Sequence, residues 1–259
     1  MPAKRRAPVL ETTHDAVLDG RLRLRQPKQG HRVGHDAILL AAATAAKPGE
    51  HAVDLGAGVG AAGLALAQRV AGLRVTLVEI DPALAALASE NAERNGLADR
   101  VASVALDVNA PARTFAAAGL KQADRVLMNP PFNDPARHNT SPNAGRRLAH
   151  AGKVDVLPAW IRAAARLLPP RGVLTLIWRA DGLAEVLSAL ARSFGGVAVL
   201  PVHPKPGAPA IRVLVRAVKE SRAPLALYPG LVLNDENGRP AAFADEVLRG
   251  KAVLPLAEL

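Results

Sequence analysis

Cysteine is absent from the chain. That excludes a disulfide framework and thiolate metal sites, and it suits a reducing cytoplasm. Aromatic residues make up only 3%, so the core has to be aliphatic, and the 49% of hydrophobic residues, much of it alanine, supplies one. No stretch approaches the roughly 20 apolar residues of a membrane-spanning helix, so no membrane association is expected. The start, Met1-Pro2-Ala3-Lys4-Arg5-Arg6, is basic but has no apolar run behind it, and no signal peptide is expected. Acidic residues are outnumbered: 23 Asp and Glu stand against 33 Lys and Arg, for a net charge of +10. Such a balance points to a polyanion partner, because clustered cations release counterions from phosphates.

What is there reads as strands alternating with helices. His51–Leu55, Leu73–Ile80, Val101–Leu106, Asp124–Met128 and Val173–Trp178 are apolar runs of strand length, with Val197–His203 and Arg212–Val218 following. Helices are expected at Asp36–Ala46, Gly63–Val70, Asp81 to about Arg94, Val156–Leu168 and Asp181–Phe194, with a short one within 110–121. Asp81-Pro82 supplies a cap and a first-turn proline, and Asn95-Gly96 a stop. This order predicts an α/β fold, a doubly wound and mostly parallel sheet. Residues 1–34 form a lead-in, with a hairpin turn at Leu18-Asp19-Gly20-Arg21-Leu22, and 219–259 an extension expected to hold a hairpin and a short helix.

The tetrapeptide Asn129-Pro130-Pro131-Phe132 carries the most chemistry. Two consecutive prolines cannot continue a sheet, since each lacks an N–H and fixes φ. The strand before them must end and present Asn129 at its carboxyl edge, where open α/β sheets bind ligands. An amide, a rigid turn and an aromatic ring can together hold a planar amine. The Asn129 side-chain oxygen and the Pro130 carbonyl are suited to accept the amine hydrogens, and Phe132 to stack on a base, which is worth about 1–3 kcal/mol.

Val53-Asp54-Leu55-Gly56-Ala57-Gly58-Val59-Gly60 lies between the first strong strand and its helix. Glycines there permit a tight turn and close approach to a ligand. Glu79 ends the next strand, where a carboxylate can accept both hydroxyls of a ribose, and Asp107 follows the third, where it can receive an adenine amine. Gly56-x-Gly58-x-x-Ala61 also fits a dinucleotide fingerprint. The loop and Glu79 therefore leave an NAD-dependent oxidoreductase and an S-adenosylmethionine enzyme both open, while Asp54 and Asp107 tilt towards methyl transfer. Asp54 has a second role open to it, bracing the loop through backbone N–H groups.

Taken together, Asp54-Leu55-Gly56-Ala57-Gly58, Glu79 and Asn129-Pro130-Pro131-Phe132 resemble the motifs of class I S-adenosylmethionine-dependent methyltransferases acting on exocyclic or amide nitrogens. The resemblance spans about residues 35–218 and implies a Rossmann-like seven-stranded sheet whose last strand, Arg212–Val218 here, is antiparallel. It implies cofactor contacts at Asp54, Gly56, Gly58, Glu79 and Asp107, and catalysis at Asn129, Pro130, Pro131 and Phe132. The segment from Gln26 to Ala41 resembles that of the bacterial tRNA(Val) (adenine-N6)-methyltransferases, which implies transfer to adenine N6 of a tRNA. Guanine N2 of ribosomal RNA and glutamine N5 of a protein are the alternative acceptors; Phe132 is the form common in the guanine enzymes.

Asn133–Lys153 reads as a long basic loop. Arg137, Arg146 and Arg147 within it are the candidates for gripping RNA phosphates, and Lys28 and Arg32 before the first helix are candidates for contacting the substrate or the methionine part of the cofactor. His138 and His150 lack the spacing of metal ligands, and no metal is expected. Trp160 and Trp178 fall in core patterns.

Overall fold

Runs of Val, Leu and Ala too apolar to face water on either side build the middle of the molecule. In the structure, a computed structural model that describes residues 11–29, 32–131 and 156–258, they form a mostly parallel sheet. Its central strands are β3 (His51–Leu55), β4 (Arg74–Glu79), β5 (Val101–Ala105), β6 (Arg125–Met128) and β7 (Val173–Arg179). They lie in the order β7-β6-β3-β4-β5, all parallel. β9 (Arg212–Lys219) runs antiparallel between β7 and β8 (Phe194–His203). These seven strands are the sheet anticipated from the sequence, antiparallel strand included.

Side-chain parity sorts the core into two halves. Val53, Leu55, Val126 and Met128 face one layer, and Ala52, Val75, Leu77 and Leu127 the other. The first layer is covered by α4 (Ala112–Ala117), α5 (Val156–Leu167) and α6 (Leu183–Leu190). Over the second lie α1 (His35–Ala43), α2 (Ala61–Arg69) and α3 (Pro82–Arg94). Leu55, Leu64, Leu77 and Leu127 are fully buried, and truncating any one to Ala costs about 2–5 kcal/mol.

Helix ends follow their local chemistry. Asp81 caps α3 by accepting the Ala83 N–H at 2.9 Å, with Pro82 in the first turn, and Gly96 takes φ 65° beyond its end. Pro169-Pro170 closes off α5, whose buried face carries Leu157, Trp160, Ile161, Ala164 and Leu167.

Outside the sheet, β1 (Thr12–Val17) and β2 (Leu22–Pro27) form the expected hairpin. In the tail, the turn-rich Asn234–Gly238 closes as expected, through an antiparallel bridge between Asn234 and Pro240, and the strands before it add something the sequence did not suggest. The short strands β10 (Ala226–Leu227) and β11 (Leu231–Val232) add in parallel to β8, bringing this sheet to nine strands among the described residues. The free edge of β8 offers a longer row of backbone groups than a turn-rich tail can offer itself. The short helix is present as α7 (Ala242–Leu248), and it buries Ala244 and Val247. Among the described residues no helix is long and apolar enough to cross a membrane.

Candidate active site

Four neighbouring strands end at the same level. Leu55 pairs with Met128 on one side and Val78 on the other, and Glu79 pairs with Ala105. The residues that follow, Gly56, Asn129 and Asp107, together with Glu79, therefore stand side by side along the carboxyl edge of β6, β3, β4 and β5. This is the switch region where open α/β sheets take ligands.

The glycine loop is wound into that edge. Gly56, Gly58 and Gly60 have φ of 71°, 58° and 89°, the left-handed region that Cβ-bearing residues avoid. The Gly56 and Ala57 N–H groups both donate to the Val78 carbonyl, at 2.8 and 2.9 Å. On the inner side the loop has no room: a Cβ on Gly56 would lie 2.2 Å from Cη2 of Trp160. Over Gly58 nothing lies within 4 Å of such a Cβ, so a ligand has access there.

Glu79, 8% exposed, uses its carboxylate to hold this geometry. Its Oε2 accepts the Gly58 N–H and its Oε1 the Asp81 N–H, both at 2.9 Å. A carboxylate offers about four lone-pair positions, which leaves capacity for two ribose hydroxyls. Asp107 is exposed, and its Oδ1 accepts the Asn109 N–H at 2.8 Å. Between these two carboxylates in sequence, Ile80 is 56% exposed. Sequence reasoning passed over it, although an apolar residue directly after a strand-ending glutamate is an available signal for a flat apolar ligand face.

Of the two roles open to Asp54, cofactor contact and bracing of the loop, the structure displays the second. Asp54 is 2% exposed, and its Oδ2 accepts the Gly63 N–H at 2.8 Å. Its parity places it under α2 with Ala52, and it braces the loop from below. Burial pushes its carboxyl up to about 7, opposed by the Gly63 hydrogen bond and reinforced by the charge of Glu79. Gly63 allows this approach, since a Cβ there would meet Leu77 at 2.3 Å.

Asn129 is half-buried, and its Oδ1 has no hydrogen-bond partner among the described residues. Pro130 behind it is buried and Pro131 exposed. Phe132, Arg137, Arg146 and Arg147 lie outside the described residues, as does the expected Asn133–Lys153 loop. Lys28 and Arg32 are exposed and partly neutralised, by Glu11 at 3.3 Å and Asp15 at 2.7 Å. Trp160 and Trp178 are both buried in the core. No group of three or more His, Asp or Glu side chains among the described residues is placed to hold a metal.

A glycine loop over an open edge, a strand-ending carboxylate with spare lone pairs, an exposed apolar side chain beside it and an orphaned amide oxygen one strand away fit S-adenosylmethionine, the cofactor of class I methyltransferases. The match to the methyltransferase small domain, over residues 31–205, makes the chain a member of that family. Enzymes named tRNA1(Val) (adenine(37)-N6)-methyltransferase are similar. One from Porphyromonas gingivalis is 33% identical over 60% of this chain, and one from Tolumonas auensis is 34% identical over 66%. The chain spans 61% of the length of the first and 68% of the second. Release factor glutamine methyltransferases also match, over about half their length (53% and 50%). A crystal structure described as a predicted O-methyltransferase from Agrobacterium tumefaciens superposes with a TM-score of 0.72 at 32% identity, covering 85% of this chain and 98% of that one.

Proposed function

We propose that this chain transfers a methyl group from S-adenosylmethionine to an exocyclic base amine in RNA, adenine N6 of a tRNA in the first instance, in the cytoplasm. The observation that carries the proposal is the Asn129 side-chain oxygen, buried, without a partner among the described residues and adjacent to the glycine loop. A buried amide oxygen left unsatisfied costs about 1–3 kcal/mol, and such cost persists at sites that need the group free for a ligand. Support for RNA comes from the +10 charge and from the names of the similar enzymes.

In this mechanism S-adenosylmethionine supplies an electrophilic methyl group on a sulfonium. Glu79 would hold the ribose through its remaining lone pairs, and Asp107 would receive the adenine amine of the cofactor. The Asn129 oxygen and the Pro130 carbonyl accept the two hydrogens of the substrate amine. That weakens delocalisation of the nitrogen lone pair into the ring and aims it outward. Phe132 stacks on the base. The amine nitrogen would gain the methyl group as the methyl's bond to sulfur breaks, and the surplus amine proton would then leave to solvent; positioning supplies the catalysis, and no general base is needed before transfer. Arg137, Arg146, Arg147, Lys28 and Arg32 contact RNA phosphates.

The test is nucleoside mass spectrometry after incubating the protein with labelled cofactor and unmodified total RNA. Label in N6-methyladenosine is the expected result; label in N2-methylguanosine would move the acceptor to the guanine base. A second reading, transfer to a glutamine side chain, is favoured by the release factor enzymes among the similar proteins. Label in protein and none in RNA would replace the first reading with this one.

A further inference from the structure

The outer edge of a two-stranded ribbon carries unpaired N–H and C=O groups. On β2 this edge is closed by a side chain of α3 and by that of the residue capping its carboxyl end. Asn91 Oδ1 accepts the Arg25 N–H at 2.7 Å, and its Nδ2 donates to the Arg25 carbonyl at 3.0 Å. One turn on, Asn95 does the same for Arg23, at 2.9 and 2.8 Å. The spacing explains the match: four residues of helix rise about 6 Å, and two residues of strand span about 6.6 Å. Two amides on one helix face thus serve alternate residues of one strand.

The two asparagines differ in one respect. Asn91 is fully buried, and its Nδ2 also donates to the Val59 carbonyl at 3.0 Å. Val59 lies between Gly58, whose N–H is held by Glu79, and Gly60, which precedes α2. The second Nδ2 bond of Asn95 goes to the Asn91 carbonyl within α3, and Asn95 is not bonded to the loop. Hairpin, helix and cofactor loop thus meet at a single side chain.

We propose that Asn91 is a positioning residue that makes the N-terminal hairpin part of the cofactor site, so that occupancy of the glycine loop and order of the hairpin are one coupled equilibrium. The proposal rests on the cofactor reading above. The coupling is reciprocal: a ligand that fixes the loop steadies β2, and whatever steadies β2 tightens the loop. Lys28 and Arg32 extend from the end of the same hairpin, where the buried Gln26 bridges Asp15 and the Val33 N–H. RNA held by that segment raises cofactor affinity without touching the cofactor.

The test uses the full chain and S-adenosylhomocysteine as probe, read by residue-resolved amide hydrogen exchange and by calorimetry. In the unaltered protein the probe slows exchange of the Arg25 and Arg23 amides. In Asn91→Ser that protection is lost and the dissociation constant rises about tenfold, the scale of one buried hydrogen bond. In Asn95→Ala the dissociation constant stays within about twofold. Probe binding that leaves the hairpin amides of the unaltered protein unchanged overturns the coupling, whether or not Asn91→Ser folds. Equal weakening in both variants also overturns it, reducing Asn91 to a scaffold residue. Failure of the unaltered protein to bind the probe at all instead removes the cofactor reading, and the coupling with it.

Discussion

The two ends of the same central strands are built in opposite ways. At the amino end polar groups are matched. Arg125 makes a bidentate ion pair with Glu50, at 2.8 and 2.6 Å. The His51 N–H donates to Asp124 at 2.8 Å, and the ring nitrogens of His51 meet the Gln122 carbonyl and the Thr76 hydroxyl at 3.1 and 2.9 Å. At the carboxyl end three glycines hold left-handed backbone, an isoleucine faces water and an amide oxygen is buried without a partner among the described residues. One end is optimised for holding the fold. The other keeps unspent hydrogen-bonding capacity, which a ligand can use, and that costs stability.

The sharpest way to break this contrast is to alter Asn129. Asn129→Ala removes the acceptor proposed for the substrate amine. Methyl transfer to RNA is expected to fall about 10²–10³-fold, the usual cost of deleting one preorganised polar group in a catalytic site. Stability should hold or rise, because the truncation also removes an unsatisfied buried oxygen. Transfer rates and urea melts on the same preparation check both halves. Normal transfer, or a large loss of stability, would make Asn129 a residue of the kind found at the other edge.

Arg125→Ala is the mirror experiment. It leaves Glu50, a mostly buried carboxylate, without its ion-pair partner and, among the described residues, with only the Lys47 N–H donating to it. A loss of about 3 kcal/mol is expected from urea melts, with affinity for S-adenosylhomocysteine unchanged once the protein is folded. A change in affinity would mean that the two edges are not independent.

Much of this division was legible in the sequence, for identifiable reasons. Strand positions came from continuous apolar runs, which a sheet covered on both faces requires. The consecutive prolines after Asn129 forced the strand to stop, and so fixed which edge that residue occupies. Asp54 was legible only in part. Its distance from Gly56 suggested the site, but two-residue parity with Ala52 sends it beneath α2 instead. The turn at Asn234–Gly238 was legible from its residues, but the pairing of β10 and β11 with the free edge of β8 was not, because it is a long-range choice that local turn residues do not encode. The two-amide closure of β2 by Asn91 and Asn95 was passed over as well, since it depends on a helix and a strand meeting at the right distance.

Asp54 also separates the edges by pH. A carboxyl held at about 7 in the fold, against 3.8 ordinarily, keeps its proton where the unfolded chain has released it. Folding therefore takes up a proton between about pH 4 and pH 7, and stability falls as pH rises through that window, by at most about 1.4 kcal/mol per unit. Asp54→Asn should flatten this slope while keeping an acceptor for the Gly63 N–H. Urea melts across that range test it, and parallel curves for the two proteins would show that Asp54 is not the source.

Ile80 gives the smallest effect and the finest resolution of where the ligand lies. It is 56% exposed immediately after Glu79, so little of the fold depends on its side chain, and Ile80→Ala should shift stability by no more than about 0.5 kcal/mol. If adenine of the cofactor lies against it, the substitution uncovers about 40 Å² of apolar contact, worth about 1 kcal/mol or roughly fivefold in affinity. Calorimetry with S-adenosylhomocysteine should find that loss. Repeating it with adenosine separates the base from the methionine end, because a contact to adenine weakens both ligands by the same factor. Weakening of the first alone would place Ile80 near the methionine end, and no weakening of either would leave Ile80 a solvent-facing residue like any other at the sheet margin.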